Sequence, residues 1–182
     1  INPLPQDNWN PEQRALLAPM QNDEGVGEIA HNLFTTLVRH PKLFKRWSVF
    51  ANHVLFKSSL DAVARELAIL RIAWLTQADY EWGQHVLIAR KSGLSDTTIR
   101  RVKLGAEAEG WASHERALLV AIDQLNDQCE IDDSCWSALQ NGYDENQILD
   151  LIFTVGNYRL LAGLMKSAGI IRDSGVPGLD EP

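Results

Sequence analysis

The sequence predicts an all-α fold, and three observations support this prediction. Apolar residues recur at helical spacing along most of the 182 residues, and no alternating run rich in Val, Ile and Thr predicts a strand. Glycine and proline fall mostly between the periodic segments, where helices begin and end. The hydrophobic fraction of 45% and the charged fraction of 23% are those of an ordinary folded protein. We expect one domain over residues 1–182, with about seven to nine helices.

Capping residues mark the helices of the first half of the chain. Residues 1–10 are expected to form an N-terminal arm that packs on another surface, and Asn10-Pro11 opens the first helix as N-cap and first helical residue. The following helices are predicted around Ile29 to Val38, from Pro41, over 60–77 after a Ser58-Ser59 cap, over 80–92 after an Asp79 cap, and from Ser95-Asp96 to Val102. The broad apolar stripe of the 60–77 helix predicts burial on more than one side.

The second half repeats this pattern of capped helices. Ser113 is a predicted N-cap, a short helix is expected around Trp136, and a long helix over 145–168 starts after Asp144 and ends at Gly169. Residues 172–182 contain two prolines and two glycines and predict a loose C-terminal tail. The recurrence of similar landmarks after roughly 75–80 residues favours two similar helical halves, with chance resemblance between amphipathic segments as the alternative.

Charge and cysteine content exclude several classes of function. With 17 basic and 24 acidic residues the net charge is −7, which disfavours nucleic acid or an anionic membrane surface as a partner. No run approaches ~18 consecutive apolar residues, and the first residues lack the features of a signal peptide. Cys129 and Cys135 are spaced as neither a redox pair nor a zinc site, so we expect two reduced thiols in a cytoplasmic protein.

Candidate chemistry is concentrated in two segments, 65–74 and 79–85. Glu81 and His85 are four residues apart and therefore share one helix face, with Tyr80 and Trp82 beside Glu81. A carboxyl and an imidazole among aromatic side chains can act as an acid/base pair. The alternative is a surface Glu–His contact that only stabilises the helix.

Glu66 and Arg71 are the remaining polar candidates in these segments. Glu66 lies beside the apolar stripe of its helix, where it is expected either to take part in the site or to be paired or solvated. Arg65 and Arg71 are its nearest basic partners. Arg71 is alternatively expected to bind a substrate carboxylate through a bidentate contact.

These segments resemble the carboxymuconolactone decarboxylase family. The resemblance extends from Pro41 to Gly93, and its most specific part is Tyr80-Glu81-Trp82 and His85 following Arg65-Glu66-Leu67 and Ile69-Leu70-Arg71. Weaker similarity continues through the second half, at Ile131-Asp132, Trp136, Leu139, Gln147, Leu151, Gly156, Tyr158 and Gly169. It covers about 130 residues, and implies an alkyl hydroperoxidase D-like helical fold.

The same superfamily contains thiol peroxidases with a C-x-x-C-x-x-x-H motif and a glutamate twelve residues before the first cysteine. Aligning His85 with the motif histidine places Glu66 on that glutamate and places Ala78 and Glu81 on the two cysteines. Disulfide exchange needs a thiolate and a second sulfur, so this chain is not expected to be a thiol peroxidase.

The resemblance instead implies the decarboxylase-type branch: a cofactor-free homo-oligomer, often a trimer or hexamer, acting on a lactone acid of aromatic catabolism. His85 would be the general acid/base or oxyanion donor, Glu81 would orient it or carry a proton, and Glu66 would complete the polar cluster. Arg71 would hold a substrate carboxylate, and Tyr80 and Trp82 would shape the pocket. Lactone isomerisation or hydrolysis, and non-catalytic ligand binding, remain alternatives.

No other motif points to a cofactor. The remaining histidines do not have metal-ligand spacing, and Asp127, Asp132 and Asp133 lack the pattern of a calcium loop. We therefore expect neither metal nor cofactor, and a small-molecule substrate as the partner. The six Trp residues and broad apolar stripes also favour an assembly of several copies.

Overall fold

A computed structural model describes residues 1–20 and 31–181, and these form nine α-helices without a strand. The helices are α1 (Pro11–Leu17), α2 (Asn32–Leu37), α3 (Pro41–Asn52), α4 (Ala62–Leu75), α5 (Asp79–Lys91), α6 (Asp96–Leu104), α7 (Ser113–Gln128), α8 (Asp133–Leu139) and α9 (Glu145–Ala168). Short 3₁₀ turns at Gln6–Asn8 and Ala18–Met20 and a π-helical turn at His53–Lys57 complete the described elements. The all-α prediction is confirmed; the predicted start of the second helix near Ile29 lies outside the described residues.

Helix α4 is the centre of the fold. It packs against α5, α6, α7 and α9, and every residue from Glu66 to Ala73 is buried. The predicted burial of this helix on more than one side is therefore confirmed. The arm and α1 form a smaller core with α2 and α3, in which Trp9, Leu17 and Phe44 are buried, so the arm packs on its own chain.

Three of the predicted N-caps are present, and three are displaced. The side chains of Asn10, Ser95 and Asp144 each accept a backbone N–H of the helix that follows. Helix α4 is capped by Asp61, because the backbone N–H and hydroxyl of Ser59 both donate to Asp150 on α9. Asp79 is the first residue of α5 rather than its cap, and Ser113 is likewise the first residue of α7, which Ala112 precedes as N-cap.

Helix α9 is long and apolar enough to cross a membrane by length and composition alone. Half of its most apolar stretch is buried inside the protein, as in a core helix, so this observation is weak evidence for a membrane span. Its N-terminus is capped by Asp144 and Gln147, and it ends at Gly169 in the left-handed conformation, as predicted.

The C-terminal tail is not loose. Asp79 accepts the backbone N–H of Leu179 and pairs with Arg172, and the Trp82 indole donates to the carbonyl of Glu181. A Cβ atom at Gly83 would lie 2.1 Å from the carbonyl oxygen of Pro177, so the tail crosses α5 where the helix has no side chain. Local composition predicted mobility, but these tertiary contacts hold the tail in place.

Candidate active site

The centre of the candidate site is a buried carboxylate–imidazole pair. Glu66 on α4 and His85 on α5 face each other, and Oε2 of Glu66 lies 2.7 Å from Nδ1 of His85. Because a carboxylate only accepts hydrogen bonds, Nδ1 carries the proton in the neutral ring and Nε2 carries the lone pair. Glu66 is thus fully buried and paired, instead of lying at the rim of the core.

The second oxygen of Glu66 is bound to Arg65. Nε of Arg65 donates to Oε1 of Glu66 at 3.2 Å. One carboxylate therefore connects a guanidinium and an imidazole and restricts the position of both.

Glu81 lies one turn before His85 on α5, but it does not bind His85. The residue is 2% exposed, and neither carboxyl oxygen has a hydrogen-bond partner among the described residues. Burial raises the pKa of this carboxyl well above its ordinary value. Burial therefore favours the protonated form of the Glu81 carboxyl, which suits a proton donor. Glu66, rather than Glu81, orients the imidazole.

Helix α9 supplies a third wall, which the sequence analysis did not assign to the site. The rings of Tyr158 and His85 pack edge to face, and their centroids are 4.9 Å apart. Burial, and then the charges of Glu66 and Glu81, raise the pKa of the Tyr158 hydroxyl well above its ordinary value, while Arg65 lowers it. These interactions place the phenol among the candidate acid and base groups, where it stays protonated.

Two further polar residues of α9 lie on the same helix face as Tyr158. Thr154 is fully buried, and its hydroxyl has no partner among the described residues. Asn157 accepts a hydrogen bond from the indole of Trp47 on α3. The sequence signal for this wall was a set of polar residues interrupting an apolar helix at positions 154, 157 and 158.

Arg71 faces away from this cluster and is already fully engaged. It makes a bidentate ion pair with Asp123 on α7, at 2.6 and 2.9 Å, and donates to the carbonyls of Val102 and Lys103. Its guanidinium also packs against Gly105, where a Cβ atom would lie 2.6 Å away. Arg71 thus joins α4 to α6 and α7, and its donors are engaged inside the fold rather than open to a substrate carboxylate.

Tyr80 and Trp82 diverge from the Glu81 face, because successive helical residues are about 100° apart. The Tyr80 hydroxyl donates to Asp173 of the tail at 2.7 Å. The Trp82 ring packs on Trp74, with Nζ of Lys103 4.9 Å from its centroid. Tyr80 lines a pocket of about 570 Å³ between the start of α5, the end of α9 and the tail, and neither Glu66, Glu81 nor His85 lines that pocket.

The two positions aligned with the peroxidase cysteines are Ala78 and Glu81, and both are buried. The two cysteines of the chain lie elsewhere: Cys129 is exposed after α7, and Cys135 is buried on α8, with burial first among the causes that raise its thiol pKa to about 11. Across the described ranges, no group of three or more His, Cys, Asp or Glu side chains has the arrangement needed to hold a metal ion.

Comparison with solved structures identifies the fold. The chain superposes on an uncharacterized peroxidase-related protein from Ralstonia eutropha JMP134, which has an alkylhydroperoxidase AhpD core. The TM-score is 0.78 and the sequence identity is 18%, and the superposition covers 94% of this chain and 87% of that one. An uncharacterized peroxidase-related protein from Silicibacter sp. TM1040 gives TM-score 0.82 and 13% identity, with 95% and 91% covered. The debrominase Bmp8, in its apo form, gives TM-score 0.74 and 14% identity, with 96% and 92% covered.

A search of the curated proteins found no match. Residues 41–124 match the model of the carboxymuconolactone decarboxylase family, and this range contains Glu66, Glu81 and His85. Residues 41–124 thus match the carboxymuconolactone decarboxylase family, within a chain that has an AhpD-like fold.

Proposed function

We propose that this protein is a cofactor-independent decarboxylase-type lyase that acts on a small carboxylated lactone resembling 4-carboxymuconolactone. The observation that carries the proposal is the buried Glu66–His85 pair with an unpartnered, protonated Glu81 one turn away. Such a set provides a base and an acid without sulfur.

The proposed reaction needs electrostatic stabilisation and one proton transfer. When the carboxylate leaves as CO₂, its bonding electrons pass into the lactone as an enolate whose charge rests on the carbonyl oxygen. Preorganised donors must stabilise that oxyanion, and the carbon must then receive a proton. Tyr158 is suited to donate a hydrogen bond to the oxyanion, since its raised pKa keeps the phenol protonated.

Glu81 is the proposed proton donor to carbon. Its carboxyl is neutral and has no partner among the described residues, so no internal hydrogen bond has to break before transfer. His85 stays oriented by Glu66 and returns a proton from solvent to the Glu81 carboxylate through Nε2. The same acid and base would support lactone isomerisation, which is therefore the second candidate; it differs in releasing no CO₂.

Thiol peroxidase and thiol-dependent dehalogenase activities are disfavoured for this chain. A carboxyl stands where a reactive cysteine is needed, and both cysteines of the chain lie outside the cluster. The likeness to the peroxidase-related proteins and to the debrominase extends to the fold alone.

The activity test is incubation with 4-carboxymuconolactone while CO₂ release and loss of the lactone chromophore are followed. Proton transfer through His85 predicts that His85→Ala lowers turnover ~10²-fold or more. His114→Ala, which removes an exposed histidine, is the matched control. Near wild-type turnover of His85→Ala would refute the mechanism, and product formed without CO₂ would support the isomerase instead. Binding without any turnover would favour a ligand-binding protein.

We also propose that the protein works in the cytoplasm as a homo-oligomer, a trimer or a hexamer, with a small molecule rather than nucleic acid or membrane as its partner. Large apolar side chains support assembly: Val49 and Phe56 are each 73% exposed, and Leu160 is 62% exposed. Light scattering that gave a 20.4 kDa monomer at micromolar concentration would contradict this assembly.

A further inference from the structure

Arg65 has an unused guanidinium edge beside the acid/base cluster. The only hydrogen bond that its side chain makes to a described residue runs from Nε to Oε1 of Glu66, so Nη1 and Nη2 have no described partner. A guanidinium carries five N–H donors in a planar fork, and four of them belong to these two nitrogens. The side chain is 14% exposed, so this edge is reachable from outside the core, whereas Glu66 is fully buried.

The contrast with Arg71 strengthens this observation. The two arginines lie on the same helix, but Arg71 uses its donors on Asp123 and on two backbone carbonyls. Arg65 instead uses one nitrogen to hold its own orientation and leaves the other two open to a ligand. A planar fork with one anchored nitrogen and a free edge is the arrangement that binds a carboxylate in a bidentate manner.

The charge balance also favours an anion at this edge. Arg65 and the Glu66 carboxylate form an ion pair, and burial raises the pKa of Glu81, which favours its uncharged form. An incoming carboxylate therefore meets a guanidinium with free donors and no unpaired negative charge in the cluster.

We infer that Arg65, and not Arg71, binds a carboxylate of the substrate through Nη1 and Nη2, while Glu66 holds the guanidinium and the His85 ring in a fixed relation. This inference rests on the proposed function and deepens it. The bound carboxylate is the one that the product retains, because clamping the departing carboxylate would stabilise the ground state rather than the transition state.

Binding of unreactive probes tests Arg65 separately from catalysis. We choose 5-oxotetrahydrofuran-2-carboxylate and its neutral counterpart γ-butyrolactone, each titrated by NMR into the wild-type protein, Arg65→Gln and Arg65→Lys. The carboxylated probe should bind the wild type more tightly, and Arg65→Gln should weaken it by ~10-fold or more, equivalent to about 1.4 kcal/mol. Arg65→Lys should recover only part of the affinity, and the neutral probe should be unaffected. Arg100→Gln removes an exposed positive charge and is the control.

The outcomes separate this inference from the proposed reaction. Arg65-dependent binding of the carboxylated probe supports the inference even if 4-carboxymuconolactone is not decarboxylated. Equal binding of both probes to the wild type, no binding of the carboxylated probe, or equal losses in Arg65→Gln and Arg100→Gln would overturn it. If Arg65 only positioned Glu66, its substitution would lower turnover without raising KM for a dicarboxylated lactone, which would also overturn it.

Discussion

Replacing Glu81 with glutamine should change how stability depends on pH. In the folded protein burial keeps this carboxyl protonated, whereas in the unfolded chain it ionises near its ordinary pKa of 4.5. Between these two pKa values the folded state binds one more proton than the unfolded state. The free energy of unfolding of the wild type therefore falls with rising pH, by about 1.4 kcal/mol per pH unit from this residue.

The Gln side chain of Glu81→Gln has no proton to lose, so this contribution is absent from the variant. The Glu81 contribution to wild-type stability is fully present below pH 4.5 and is lost as pH rises toward the raised pKa. The wild type should thus lose about 1.4 kcal/mol per pH unit relative to Glu81→Gln, or roughly 3–6 °C in Tm for a chain of this size. Burying the Gln amide has a free-energy cost that does not depend on pH. It therefore shifts the difference in the free energy of unfolding between the two proteins by a constant and does not change how this difference depends on pH.

Urea unfolding at pH 5, 6 and 7, at one protein concentration, measures this slope. Glu109→Gln is the control, because Glu109 is exposed. If the curves for wild type and Glu81→Gln ran parallel over this range, Glu81 would ionise normally in the folded state. The assignment of Glu81 as a proton donor would then fail.

Two other substitution and labelling experiments test the packing. Gly83→Ala should lower the free energy of unfolding by about 1–3 kcal/mol and speed proteolysis of the tail, because the new Cβ would lie 2.1 Å from the carbonyl oxygen of Pro177. The control is Gly156→Ala, whose Cβ would meet nothing within 4 Å and which should raise the free energy of unfolding by about 0.4–1 kcal/mol. Equal effects of the two substitutions would contradict the position of the tail. A thiol reagent at pH 8 should modify Cys129 quickly and Cys135 only on unfolding. Cys129 is exposed, whereas burial is the main cause that raises the pKa of the Cys135 thiol to about 11. Fast modification of both thiols in the folded protein would contradict this expectation.

The sequence was most informative where a local signal decides the structure. Asn10, Ser95 and Asp144 cap helices because a side-chain oxygen reaches the next turn of its own segment, which needs no tertiary contact. Ser59 misled the prediction because Asp150, 91 positions later, engages it and leaves Asp61 to cap α4.

The sequence predicted several of the residues that form the candidate site, but not the hydrogen bonds that join them. The spacing of Glu81 and His85 fixed a shared helix face, but spacing does not say which neighbouring helix supplies the hydrogen bond, and Glu66 does so. Arg71 and Arg65 could not be distinguished, since the Asp123 partner of Arg71 depends on how α4 packs against α7. Tyr158 was hidden because a buried phenol in an apolar helix has the same pattern as an ordinary core residue.

The position of Arg71 has a mechanical consequence for the chemistry. Glu66 and Arg71 are five residues apart, so they project from nearly opposite sides of one rigid rod. On one side of α4, Glu66 orients the imidazole of His85. On the other side, Arg71 binds Asp123 and the backbone carbonyls of the two residues at positions 102 and 103. Under the proposed function, disrupting the contact between Arg71 and Asp123 would shift α4 and slow proton transfer to carbon, although this contact lies away from the candidate site.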